Sequence, residues 1–147
     1  MKKIILLVVL TTLGMSLNSC SSDDSGEKTQ SLPLNPVGTI SFKVNGATKT
    51  FNTFIMKEDG QFLDITATID SSIADIIKIK IDKDELGTNV IYDFRYIKNT
   101  VNYYRDGNFV SLITTNSNRQ IIGSFNGQIS DFGTDLTITN GSINISY

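Results

Sequence analysis

From residue 37 onward, apolar and polar residues alternate one for one over most of the chain. Ile40, Phe42 and Val44 alternate with Ser41 and Lys43, and Asn45-Gly46 follows at once. A period of two marks a strand with one dry and one wet face, because successive side chains point to opposite sides. Asn-Gly is the strongest two-residue hairpin signal, since both loop positions need positive φ. The next strand is predicted over about Ala47–Met56, with a turn at Lys57-Glu58-Asp59-Gly60. Leu63, Ile65, Ala67 and Ile69 alternate with Asp64, Thr66 and Thr68; Ile77, Ile79 and Ile81 alternate with Lys78 and Lys80. After a turn at Lys83–Gly87, Val90, Tyr92, Phe94 and Tyr96 share one phase against Asp93 and Arg95. Strands follow at Val101–Arg105 and Phe109–Thr115, around a turn at Asp106-Gly107-Asn108, then at Ile121–Ser130 and Leu136–Tyr147. No window carries a 3.6-residue apolar stripe. About nine short strands of this kind predict an all-β fold, an antiparallel β-sandwich, with a closed lipocalin-like β-barrel as the alternative.

Two details of phase carry finer expectations. Leu136 and Ile138 are apolar at even positions, Ile143 and Ile145 at odd ones, so the phase flips at Asn140-Gly141. Either the pair is a two-residue hairpin loop or, as the preferred reading, it is a bulge in one long strand. With a turn at Asp131–Thr134, Ile129 then lies opposite Leu136, and Gly123 and Ile121 lie opposite Ile143 and Ile145. Tyr103 and Tyr104 are adjacent and must face opposite ways. Burying the face of Tyr104 would strand Asn102 and Asp106, so Tyr103 is expected in the core and Tyr104 at the surface, as a possible contact residue.

The first 36 residues have a different character. Lys2-Lys3 precede an apolar run, Ile4–Leu10, which is too short for the ~20 residues a bilayer span needs. Residues 1–19 therefore read as an export leader. Residues 20–36 hold both prolines and almost no apolar side chains, and read as a disordered tether. If flexible, residues 21–36 would reach roughly 20–24 Å. Residues 37–147 form one domain, large enough to bury roughly two-thirds of its surface.

The only cysteine, Cys20, follows Leu17-Asn18-Ser19. This resembles the bacterial lipobox, which implies cleavage before Cys20 and a diacylglycerol on its sulfur. Asn18 is not the commonest residue at its place. Lipidation also accounts for a lone thiol in an exported chain. The following Ser22-Asp23-Asp24 resembles the acidic export signal of Bacteroidota surface lipoproteins, implying transfer to the outer face of the outer membrane, with the periplasmic face as the alternative. Gly38–Gly46, Gly123-Ser124-Phe125-Asn126-Gly127 and Leu136–Ile145 resemble the opening and closing hairpins of small lipoproteins of Bacteroidota. Ile143 stands where those carry an aromatic. The resemblance implies a β-domain and no particular activity.

Removing the leader takes Lys2 and Lys3 from the 13 basic groups and none of the 15 acidic ones, leaving 11 against 15, a net charge of −4. That argues against nucleic acid, whose phosphates need a basic patch. The chain has no histidine, so Ser-His-Asp, Cys-His and His-bearing zinc sites are excluded. It also has no phosphate-cradling glycine motif. Asp82-Lys83-Asp84-Glu85-Leu86-Gly87 resembles a calcium loop but has Leu86 at its fifth position, and reads as an acidic turn. No catalytic, cofactor or metal residues are predicted. Tyr92, Phe94, Tyr96, Tyr103, Tyr104 and Phe109 form an aromatic group; alternation with charges favours core packing over a stacking platform. The expected protein is a non-enzymatic, lipid-anchored surface protein whose β-domain binds a glycan or a protein partner. The rivals are a polysaccharide hydrolase using paired carboxylates, and a structural accessory or an immunity lipoprotein that neutralises a toxin.

Overall fold

The structure, a computed structural model, describes residues 34–147. The leader, Cys20, Ser22, Asp23 and Asp24 lie outside the described residues. The domain is all-β and antiparallel, with eleven strands: β1 (Val37–Val44), β2 (Ala47–Phe51), β3 (Thr53–Asp59), β4 (Phe62–Ile69), β5 (Ser72–Asp82), β6 (Gly87–Thr88), β7 (Ile91–Lys98), β8 (Val101–Arg105), β9 (Val110–Ser117), β10 (Gln120–Ser130) and β11 (Asp135–Ser146). The excess over nine comes from the two-residue β6 and from a break at Asn52, which divides one expected strand into β2 and β3.

The hydrogen-bonded path runs β2-β1-β11-β10-β8-β7-β5-β4-β3, with β9 on β10 and β6 on β9. It folds into the two layers of a sandwich. One layer is β2-β1-β11-β10-β9-β6; the other is β8-β7-β5-β4-β3. They join where β10 meets β8 over two residue pairs only, Ile129 with Arg105 and Ser130 with Tyr104. The sheet is not closed into a barrel: β2 and β3 end the path and do not pair with each other. At Asn52 the chain exchanges one neighbour, β1, for another, β4, as a strand does when it switches layers at a corner. Asn52 fixes that corner: its amide donates to Asp70 Oδ1 at 2.7 Å, and its carbonyl oxygen accepts from Asp70 N at 3.0 Å.

The inward phase of nearly every strand is apolar, and the core follows from it. Phe42 is its centre. Its ring lies 5.4 Å from Phe51 and 5.7 Å from Phe125 in its own layer, and 6.1 Å from Phe94 and 5.6 Å from Tyr96 in the other. Asn45 and Gly46 take φ of 48° and 86°, as the hairpin requires.

The expected closing register is observed. Ile129 pairs with Leu136, Gly123 with Ile143 and Ile121 with Ile145, and the chain continues through Asn140-Gly141. Asn140 is the extra residue, at φ 54°, with its amide bonded to Asn126 Oδ1 at 2.9 Å. The same bulge shifts β1 against β11, so one insertion serves both neighbours.

Three expectations need correction. Tyr92 does not share the phase of Phe94 and Tyr96. Asp93 pairs with Lys80 but Ile91 pairs with Ile81, so Tyr92 is a bulge residue; it points outward and is 60% exposed. Tyr103 faces inward but is only half-buried, 6.2 Å from the Tyr96 ring. Val101–Tyr103 run beyond the short β8–β10 contact, so no strand covers them on that side. The tether also ends earlier than residue 36, because Leu34 bridges Met56 on β3 and packs on the core.

Candidate functional site

Cross-strand register brings charges and rings together on the outer face of β3-β4-β5-β7-β8. One row across the strands reads Ile55, Thr66, Lys78, Arg95, Tyr104. The next reads Lys57, Asp64, Lys80, Asp93. All of these side chains but Tyr104 line a shallow cleft of about 470 Å³. The outer face of the other layer differs in kind. Its central rows carry hydroxyls and amides, with Ser41 and Ser142 sharing a hydrogen bond at 2.9 Å.

The second row is internally matched. Lys80 lies between Asp64 and Asp93, 3.6 Å from Asp64 and 3.1 Å from Asp59. The hydrogen bond it donates to Asp59 is the main reason its ammonium is held above the usual lysine range. Lys80 also sits 4.7 Å over the ring of Phe62, which packs at 5.1 Å against Tyr92. The first row has two cations and no acid. Among the described residues no carboxylate pairs with Lys78, and Arg95 has only Asp93, at 4.0 Å. The Arg95 guanidinium lies 4.8 Å over the Tyr104 ring, and its Nε is buried without a hydrogen-bond partner.

Tyr104 is half-buried rather than freely exposed, because Arg95 covers one side of its ring and Phe132 stands 6.2 Å away. Phe132 sits at the tip of the β10–β11 turn, 95% exposed and at φ 71°. A bulky residue rarely adopts that conformation. The turn enforces it: Asp131 Oδ1 accepts from Gly133 N and Thr134 N, and Ser130 Oγ accepts from Phe132 N. The domain thus holds a large ring in water at a conformational cost, and such outliers cluster at functional sites.

The rest of the predicted aromatic group divides as expected. Phe94 and Tyr96 are fully buried and Phe109 nearly so. Sequence reasoning missed Phe62, Lys78, Arg95 and Phe132 as members of one site. The outward phase of Lys78 and Arg95 was readable; their being neighbours depended on which strands pair. The signal available for Phe132 was an aromatic at a turn tip.

A partly enclosed carboxylate lies elsewhere. Asp75 on β5 accepts from Lys49 Nζ of the opposite layer at 2.9 Å and from the Tyr96 hydroxyl. Burial works against its charge, but the bonds from Tyr96 and Lys49 prevail and hold Asp75 below the usual carboxylate range. Burial, and then the bond to Asp75, push the Tyr96 phenol well up. This is a latch between layers. In the acidic turn, Asn116 donates to the carbonyls of Asp82 and Glu85, and Lys83 pairs with Glu58 at 2.7 Å.

No family model matches the chain, and no curated protein or solved structure matches it either. The functional reading rests on the chain's own residues.

Proposed function

We propose that this is a lipoprotein anchored through Cys20 in the outer membrane and displayed on the cell surface, as the small Bacteroidota lipoproteins it resembles would be. Its β-domain works by binding a glycan or a protein partner, not by catalysis. The binding reading is carried by one observation: on the outer face of β3-β4-β5-β7-β8 the cross-strand pair Lys78 and Arg95 has only Asp93, 4.0 Å from Arg95, as a carboxylate partner, and two exposed rings accompany it, Tyr92 on β7 and Phe132 in the β10–β11 turn next to Tyr104. Exposed aromatics beside charges are the ordinary means of recognising polar ligands. The anchor reading is supported by Leu17-Asn18-Ser19-Cys20, and surface display by Ser22-Asp23-Asp24.

A hydrolase is less well supported. Asp64 and Asp93 lie two strands apart, roughly 10 Å by strand spacing, near the separation used by inverting glycosidases. Lys80 occupies the space between them, where a glycosidic bond would have to sit.

Two measurements test the proposal. Labelling with a palmitate analogue should mark the wild-type protein and not Cys20→Ala; a labelled mutant would end the anchor reading. On an oligosaccharide array, a Tyr92→Ala/Phe132→Ala double variant of the full chain should lose the binding that the wild type shows. Equal binding by both would move the site off this face.

A further inference from the structure

Resting on that binding reading, we infer that the face takes an anionic glycan, whose carboxylate or sulfate group sits between Lys78 and Arg95. Lys78 on β5 and Arg95 on β7 are directly opposite in register. Cross-strand partners bring their Cβ atoms within about 4.5–5.5 Å, and like charges so placed repel. The neighbouring row shows the usual remedy, with Lys80 set between Asp64 and Asp93. The row of Lys78 and Arg95 lacks it: Thr66 flanks one side and Tyr104 the other. An anion supplied from outside would relieve the repulsion. Arg95 is prepared for such a ligand, because its guanidinium plane already rests on the Tyr104 ring. A planar fork held in place is the donor best matched to a carboxylate or sulfate.

The rings select a sugar over other anions. Tyr104 stands beside Arg95, with Phe132 6.2 Å from Tyr104, while Tyr92 projects three residues away along β7, roughly 10 Å at strand rise. Two apolar stacking surfaces separated by a charge suit a short acidic oligosaccharide that crosses the strands. A free inorganic anion would use neither ring. The cleft, about 470 Å³, is the size of a small-ligand site. A protein partner would need ~800 Å² of contact on its side, far more than this cleft offers.

Titration calorimetry with the full chain in detergent tests the assignment. The probes are an oligogalacturonide, a sulfated heparin-type oligosaccharide, a neutral cello-oligosaccharide and a poly-glutamate peptide. Binding of either acidic sugar is expected, weakening as salt is raised. Lys78→Ala and Arg95→Lys should each reduce it roughly tenfold or more, the latter because the fork is lost though the charge remains. Unchanged thermal melts of these exposed-face variants would show that the loss is local. Preference between the two acidic probes identifies carboxylate or sulfate. Binding of the neutral sugar that ignores Lys78→Ala but fails in Tyr92→Ala/Phe132→Ala would overturn the anionic assignment and leave the binding reading standing. Equal or tighter binding of poly-glutamate would transfer the face to an acidic protein. No binding of any probe would overturn both.

Discussion

Phe42 meets four aromatic rings drawn from both layers. Phe42→Ala should cost about 3–5 kcal/mol, read as a lowered denaturation midpoint. Tyr103→Ala should cost less than that, because Tyr103 is only half-covered, and Tyr104→Ala should be milder again, since its ring serves Arg95 rather than the core. Thermal melts of the three variants should rank in that order. The latch at Asp75 predicts a pH dependence. Its folded pKa is lowered, so its stabilisation is complete above the usual carboxylate range and is lost as pH falls through the lowered value. Asp75→Asn should therefore be less stable at neutral pH, and its stability should fall less steeply below about pH 4 than that of the wild type. Parallel acid-unfolding curves would show that Asp75 is not the group responsible.

Bulges do at the level of strands what single residues do in the core. Asn140 lets β11 place Leu136 and Ile138 inward on one side and Ile143 and Ile145 inward on the other, against both β1 and β10. Gly141 sits directly beneath the Phe125 ring, where a Cβ would collide with that ring and the Phe125 carbonyl. Gly141→Ala is expected to destabilise by about 1–3 kcal/mol, the range for overpacking, as measured by urea denaturation. The bulge at Asn140 was legible because two well-formed alternating runs of opposite phase meet there. The bulge at Tyr92 was not, because Val90 and Ile91 are both apolar and either one can begin the inward phase. Which does so depends on the partner strand: Ile91 must meet Ile81, and Tyr92 is displaced outward. The break at Asn52 was likewise invisible locally, since β2 and β3 are both ordinary strand sequence that differ only in the neighbour they find.

At the scale of the whole molecule, the two layers carry different outer surfaces. Charge and the exposed ring of Tyr92 gather on β3-β4-β5-β7-β8, with Phe132 reaching Tyr104 from the β10–β11 turn, and uncharged hydroxyls and amides lie on the centre of the other layer. On the proposed function, this asymmetry would turn one side only toward the ligand. Surface display is testable in cells: Asp23→Ala/Asp24→Ala should leave palmitate labelling intact while reducing cleavage by protease added to whole cells. Unchanged cleavage would remove the basis for outward transfer.

The alternation of apolar residues by itself determined that the domain is all-β and that Asn45-Gly46 is a hairpin, and it narrowed Asn140-Gly141 to a two-residue loop or a bulge, of which the preferred bulge sets Ile129, Gly123 and Ile121 opposite Leu136, Ile143 and Ile145. These follow from local physics: side-chain period, turn stereochemistry and the need to keep apolar against apolar across one hairpin. It did not determine the order of strands, which joins residues far apart in the chain through contacts that no local pattern encodes. That order alone made Lys78 the neighbour of Arg95, set Lys49 against Asp75 across the layers, and left Tyr103 half-covered where β10 meets β8 for only two residue pairs. The sandwich, as against a closed barrel, was decided the same way, by β2 and β3 taking different partners on either side of Asn52. Which face a side chain occupies is a property of its own strand, whereas what it meets there is a property of the strand beside it.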